Sequence, residues 1–149
     1  MDIEDFIKTC ARVAREKGWW LESYEEHTVC CLNAVRTSDG VGERNFGEAI
    51  ALMHSELSEA LEEWRDGTPP FYYRCKDCGT GDEGTTEVLL RCPNHNLKPE
   101  GVLSEFADIL IRVPDLVGNV YGSEVFVEAL KEKMAFNLTR EHRHGGKRA

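Results

Sequence analysis

At 149 residues, 41% hydrophobic and with a formal net charge of −9, the chain is long enough for one domain with a core and too short for two large ones. No apolar run approaches the roughly 20 residues that span a bilayer, and the N-terminus lacks the basic-then-apolar order of a secretory signal, so a soluble, cytoplasmic protein without a membrane partner is expected. The acidic balance argues against nucleic acid, whose phosphate backbone demands a positive footprint, although residues 131–149 carry six Lys/Arg against two Glu.

In chain order, Ile3, Phe6, Ile7, Cys10, Val13 and Ala14 recur at steps of three and four, which predicts an amphipathic helix over residues 2–17 stopped by Gly18. Residues 19–43 allow a second short helix in WWLESYEEHTVCCLNAV, followed by a polar connection, RTSDGVGERN. Asn45 is placed to cap a helix reaching about Asp66, closed by Gly67 and Pro69-Pro70. Gly101 opens a further helix, Val102 to about Tyr121, which Pro114 is expected to kink or split. Gly122 and Ser123 then punctuate and cap a last helix, Glu124 to about Thr139. Strand-like sequence is confined to a Cys-, Gly- and Thr-rich insert near residues 71–97, so the expected fold is an all-α helical bundle, one domain over residues 1–149, carrying a small β insert.

The second helix raises a chemical question. In MHSELSEALEEWRDG, at about 100° per residue, Glu56, Glu59 and Glu63 form one stripe beside an apolar arc containing Ala49, Met53, Leu57, Ala60, Leu61 and Trp64, while Glu62 points away. The third helix repeats the pattern, with Glu105 and Asp108 beside Leu103, Phe106, Ile109, Leu110, Val113 and Leu116. If the two apolar faces pack, Glu56, Glu59, Glu105 and Asp108 meet beside the seam, where four partly desolvated carboxylates repel unless a cation neutralises them. Oxygen ligands favour a hard ion, Mg²⁺ or Mn²⁺, and neither helix carries the Glu-x-x-His of a di-iron bundle. Glutamates at a face boundary also serve solubility, which is the plainer reading of either helix alone.

On the last helix, Lys133, Asn137 and Arg140 follow i, i+4, i+7, with Gly145-Gly146 and Lys147 beyond, a set suited to phosphate oxygens. A basic helix end that complements the dipole gives the same pattern. In the insert, Cys75-x-x-Cys78 and Cys92-x-x-His95 have the spacing of a tetrahedral Zn²⁺ ribbon, whose four ligands leave no open position for chemistry and so serve structure. Cys10, Cys30 and Cys31 read as buried thiols, and His27-x-x-Cys30 lacks a second half.

The segments NFGEAIALMHSELSEALEEWRDG, EGVLSEFADILIRVPDLVG and KMAFNLTREHRHGGKR, in this order, resemble the MazG-like nucleoside triphosphate pyrophosphohydrolases of the all-α NTP pyrophosphatase superfamily. The resemblance implies a four-helix bundle that forms homo-dimers or tetramers and cleaves (d)NTPs to monophosphate and pyrophosphate. It implies Mg²⁺ ligation by Glu56, Glu59, Glu105 and Asp108, and triphosphate contacts from Lys133, Asn137, Arg140 and Lys147. Ser55 stands where many relatives carry an acid, with Glu63 as a substitute, and the insert lengthens the interval between the acidic motifs. Two other classes remain, a catalytically silent nucleotide sensor and a zinc-ribbon interaction adaptor.

Overall fold

The computed structural model describes residues 2–22, 34–40, 42–79, 81–82 and 96–140; His27, Cys30, Cys31, Cys92, His95, Gly145, Gly146 and Lys147 lie outside the described residues. The described chain is mostly helical, with α1 (Ile3–Glu16), α2 (Phe46–Asp66), α3 (Val102–Tyr121) and α4 (Ser123–Leu138). Short strands β1 (Leu21–Glu22), β2 (Ala34–Arg36), β3 (Gly42–Asn45), β4 (Tyr72–Cys75), β5 (Gly81–Asp82) and β6 (Leu97–Glu100) form two three-stranded antiparallel sheets, ordered β1-β3-β2 and β5-β4-β6. Two compact units result, Met1–Asn45 with Pro114–Ala149, and Phe46–Val113.

In the first unit, Asp2 caps α1 by accepting the Asp5 amide at 2.8 Å, and Glu4 and Asp5 complement the positive end of the helix dipole. Ile7, Cys10 and Ala14 are its buried stripe, and the helix stops before Gly18 as the periodicity predicts. A β-carbon on Gly118 of α3 would stand 2.9 Å from Ile7 Cγ2, so glycine permits the close approach of these two helices. A buried polar knot joins the elements: Trp20 Nε1 donates to Asp115 Oδ1 at 2.8 Å, Arg44 Nη1 to Asp115 Oδ2 at 2.7 Å, and Asn119 Nδ2 to Asp115 Oδ1 at 3.0 Å. Each partner satisfies what the next would otherwise leave unpaired in a low-dielectric setting.

This unit corrects the sequence reading in three places. The polar connection is a hairpin: Val35 pairs with Arg44 and Arg36 with Glu43, while Leu21 pairs with Glu43 on the other side of β3, so strand structure is not confined to the insert. Asn45 ends β3 and stands directly before α2, the position expected of its cap, so it is not among these corrections. Gly122, at φ 91° and without a side-chain hydrogen bond, is the N-cap of α4, and Ser123 is its first helical residue. Pro114 neither breaks nor divides α3, which is assigned as one helix from end to end.

In the second unit, α2 ends at Gly67 (φ 68°) as expected. Gly101, at φ 95°, has the Pro69 carbonyl oxygen 2.7 Å from where a β-carbon would sit, so the chain can enter α3 there only as glycine. Around it, the Leu103 amide donates to the Pro70 carbonyl at 2.9 Å, tying the start of α3 to the end of the α2 connection. The β4–β6 ladder pairs Tyr72 with Glu100 and Cys75 with Leu97.

The packing of α2 departs from expectation. Ala49, Glu56 and Ala60 are its buried residues, whereas Leu57 is 47% and Trp64 71% exposed, with Leu61 exposed as well. On α3, Leu103, Phe106, Leu110 and Ile111 are likewise exposed, while Glu105 is buried. Glu56 and Glu105 of the carboxylate edge are thus covered, while Leu57, Leu61, Trp64 and the exposed apolar side chains of α3 are not.

Candidate metal centre

Glu56 and Glu59 lie one turn apart on α2, and Glu105 projects from the first turn of α3. One carboxylate oxygen from each lies within 4.8 Å of the others, with Glu56 and Glu105 buried and Glu59 exposed. This is the single group of three or more His, Cys, Asp or Glu side chains so placed among the described residues. Asp108, one turn beyond Glu105, lies outside that group and acts on it through its charge.

The electrostatics follow from crowding. Burial, a hydrogen bond with Glu56, and the charges of Glu59, Glu56 and Asp108 push Glu105 from 4.5 up to about 7. Asp108 is raised by burial and by the charge of Glu56, while Arg112 and Lys98 pull it down. Arg112 Nη2 lies 2.6 Å from Glu56 Oε1. Lys98, on β6, pairs with Glu100 at 3.1 Å and is raised chiefly by that hydrogen bond, with further contributions from Glu105 and Glu59. Two cations therefore border the acids. Arg112 was open to sequence reasoning, since it follows Glu105 by seven residues and Asp108 by four and so shares their stripe. Lys98 was not, because its place depends on strand pairing.

Glu63, the candidate substitute ligand, is employed elsewhere. The hydroxyls of Thr68 and Tyr72 donate to its carboxylate, and it does not join the three-acid group. Tyr72 is itself raised by burial and by the Glu63 charge.

A hard divalent ion fits this donor set, because closely placed carboxylate oxygens gain most from a cation with the same preference. Glu56, Glu59 and Glu105 would give such an ion three oxygen donors from the chain.

Of the proposed phosphate contacts, Lys133 and Asn137 lie on the exposed last turns of α4, and the Lys133 ammonium stands 5.4 Å over the Phe136 ring. The helix ends at Leu138 with Thr139 as its C-cap, so Arg140 falls past the helix rather than on the expected stripe. Lys147 lies outside the described residues.

The first half of the zinc pattern is described. Cys75 ends β4 fully buried against Leu97, and Cys78 is exposed in the turn that follows, where the Gly79 amide donates to the Cys75 carbonyl at 2.9 Å. The Lys76 amide donates to Asn96 at 2.9 Å, so the ladder returns the chain beside this turn directly after His95 in sequence.

Compared with known protein families, curated proteins and solved structures, the chain matches none. No helix among the described residues is long and apolar enough to cross a membrane.

Proposed function

We propose that the chain is a cytoplasmic, Mg²⁺- or Mn²⁺-dependent nucleoside triphosphate pyrophosphohydrolase that converts (d)NTP to (d)NMP and pyrophosphate. The observation that supports this reading most is the meeting of Glu56, Glu59 and Glu105 within 4.8 Å, with two of them buried. Burying carboxylates together costs stability unless a ligand recovers it, and the motifs bearing them resemble those of MazG-like enzymes in kind and order.

In this reading Glu56, Glu59 and Glu105 hold the metal, and Asp108 adds charge from the next turn. The bound ion would supply electrophilic activation of the α-phosphoryl group and acidify water. The chain's own groups do the rest. Glu59, the exposed acid, takes the proton of the attacking water; Glu63, held by Thr68 and Tyr72, is not needed for this. Arg112 and Lys98 border the acids and offset charge on the phosphate oxygens. Lys133, Asn137, Arg140 and Lys147 complete the triphosphate contacts.

The proposal includes a four-helix bundle and a homo-oligomer. Leu57, Leu61 and Trp64 offer a further copy of the chain an apolar surface. It also includes a structural Zn²⁺ held by Cys75, Cys78, Cys92 and His95. Glu59→Gln is the direct test: turnover should fall at least about a hundredfold while the helical circular dichroism is retained, and a fully active variant would remove Glu59 from the mechanism.

A further inference from the structure

The ladder between β4 and β6 joins two chemically different parts of the second unit. At one end Cys75 closes β4 opposite Leu97, and the turn toward Cys78 is tied back across the ladder by the Lys76 amide, which donates to the Asn96 carbonyl at 2.9 Å. At the other end Tyr72 lies opposite Glu100, the last residue of β6, and only Gly101 separates Glu100 from α3. Glu105, whose carboxylate meets those of Glu56 and Glu59, follows in the first turn of that helix.

The first turn of α3 borrows its acceptors from this ladder and its approach. A helix has no internal partner for its first amides. Here the Leu103 amide takes the Pro70 carbonyl at 2.9 Å, two residues before β4, and the Ser104 hydroxyl donates to the Pro99 carbonyl of β6 at 3.1 Å. A β-carbon on Gly101 would stand 2.7 Å from the Pro69 and 2.8 Å from the Pro70 carbonyl oxygen, so the backbones are in close contact where β6 passes into α3. The Tyr72 hydroxyl reaches Glu63 at 3.4 Å, so the same ladder also grips α2. Its own support is slight. Cys75 packs on one partly buried apolar side chain among the described residues, Leu97, and the third strand, β5, has two residues. Short strands with so little covered apolar surface are marginal by themselves, and an ion bound at their open end orders them.

We propose that the cysteine turn governs the carboxylate cluster through this ladder: Zn²⁺ held at Cys75 and Cys78 clamps β4 to β6, and β6 fixes the first turn of α3 so that Glu105 faces Glu56 and Glu59. Loss of the ion loosens the ladder, the Pro70 and Pro99 acceptors leave the start of α3, and the three carboxylates lose their common position. The insert is then a regulatory strap on the cluster as well as a fold of its own. The inference rests on the proposed reading of the two metal sites, whose described residues all belong to the second unit.

The test follows amide hydrogen exchange in the full chain after chelation and again after stoichiometric Zn²⁺ is restored. Zinc should slow exchange about tenfold or more at Lys76, beside the turn, and at Leu103, at the far end of the strap, and leave the α1 amides unchanged. The zinc-loaded chain should also bind Mn²⁺, the probe for the carboxylates, at least about fivefold more tightly than the chelated chain. In Cys78→Ser added Zn²⁺ should change neither reading. Zinc that protects Lys76 but not Leu103, equal slowing in α1, or an equal Mn²⁺ affinity in the two states overturns the proposal. A chain that takes up no zinc overturns it together with the zinc assignment. A chain that binds Mn²⁺ in neither state refutes the metal reading of the carboxylates, and exchange at Leu103 still decides the strap.

Discussion

Arg112 Nη2 stands 2.6 Å from Glu56 Oε1, an ion pair that is largely withdrawn from water. Arg112 supplies positive charge to a group that otherwise consists of acids, and in the ion-free chain it offsets part of their repulsion. Removing it leaves Glu56 buried beside Glu59 and Glu105 without that partner, which costs about 2 kcal/mol or more. Arg112→Gln is therefore expected to melt about 5 °C or more below the parent chain in a chelator. Saturating Mg²⁺ should close much of that gap, since the ion supplies the missing charge. Thermal unfolding of both chains in both conditions checks this, and an equal gap with and without Mg²⁺ would mean that the acids hold no metal.

The acids also set a pH dependence. Glu105 titrates at about 7 in the fold against 4.5 in the unfolded chain, so between those values the folded state holds a proton that the unfolded state has lost. This contribution is fully present below about pH 4.5 and is lost as pH rises through about 7. The ion-free chain should lose about 3 kcal/mol of stability from this group over that interval, on a background set by the other carboxylates. Mg²⁺ binds the deprotonated cluster, so its stabilising effect should grow across the same window. Urea unfolding at pH 5, 6 and 7.5, with and without Mg²⁺, reads both effects.

The Cys75–Cys78 turn gives a prediction about composition. Purified without chelator, the chain should carry about one equivalent of zinc, and Cys78→Ser should lose nearly all of it while keeping most of its helical signal. Elemental analysis and circular dichroism decide this. In the zinc-loaded chain Cys78, though exposed, should react with iodoacetamide far more slowly than after chelation. Cys10, raised by burial and by the charge of Asp115, should stay unreactive in both.

How much of this was legible in the sequence depends on what each feature rests on. The limits of α1 and the end of α2 came from local signals, a period of 3.6 and glycines at positive φ, which act within a few residues and leave their mark there. The acidic group was legible for a similar reason, since helical spacing alone puts Glu56 beside Glu59 and Glu105 beside Asp108. Which side of that stripe would be covered was not. An angular position names a face, but burial depends on what the rest of the chain places over it, so Leu57 and Trp64 were expected inside and stand exposed while Glu56 is buried. The sheet β1-β3-β2 escaped notice because its strands run two to four residues and β3 reads GERN, too short and too polar for alternation to show. Lys98 comes to the acids through the β4–β6 ladder, a non-local pairing with no mark in the sequence around it.

The central claim is that these carboxylates serve hydrolysis at the α-phosphate. Its most direct test is product analysis with each NTP and dNTP, with and without Mg²⁺, for the parent chain and Glu59→Gln. Monophosphate and pyrophosphate, formed by the parent chain only with the metal and lost in the variant, are the expected result. Diphosphate and phosphate as products, or no turnover of any triphosphate, would contradict it.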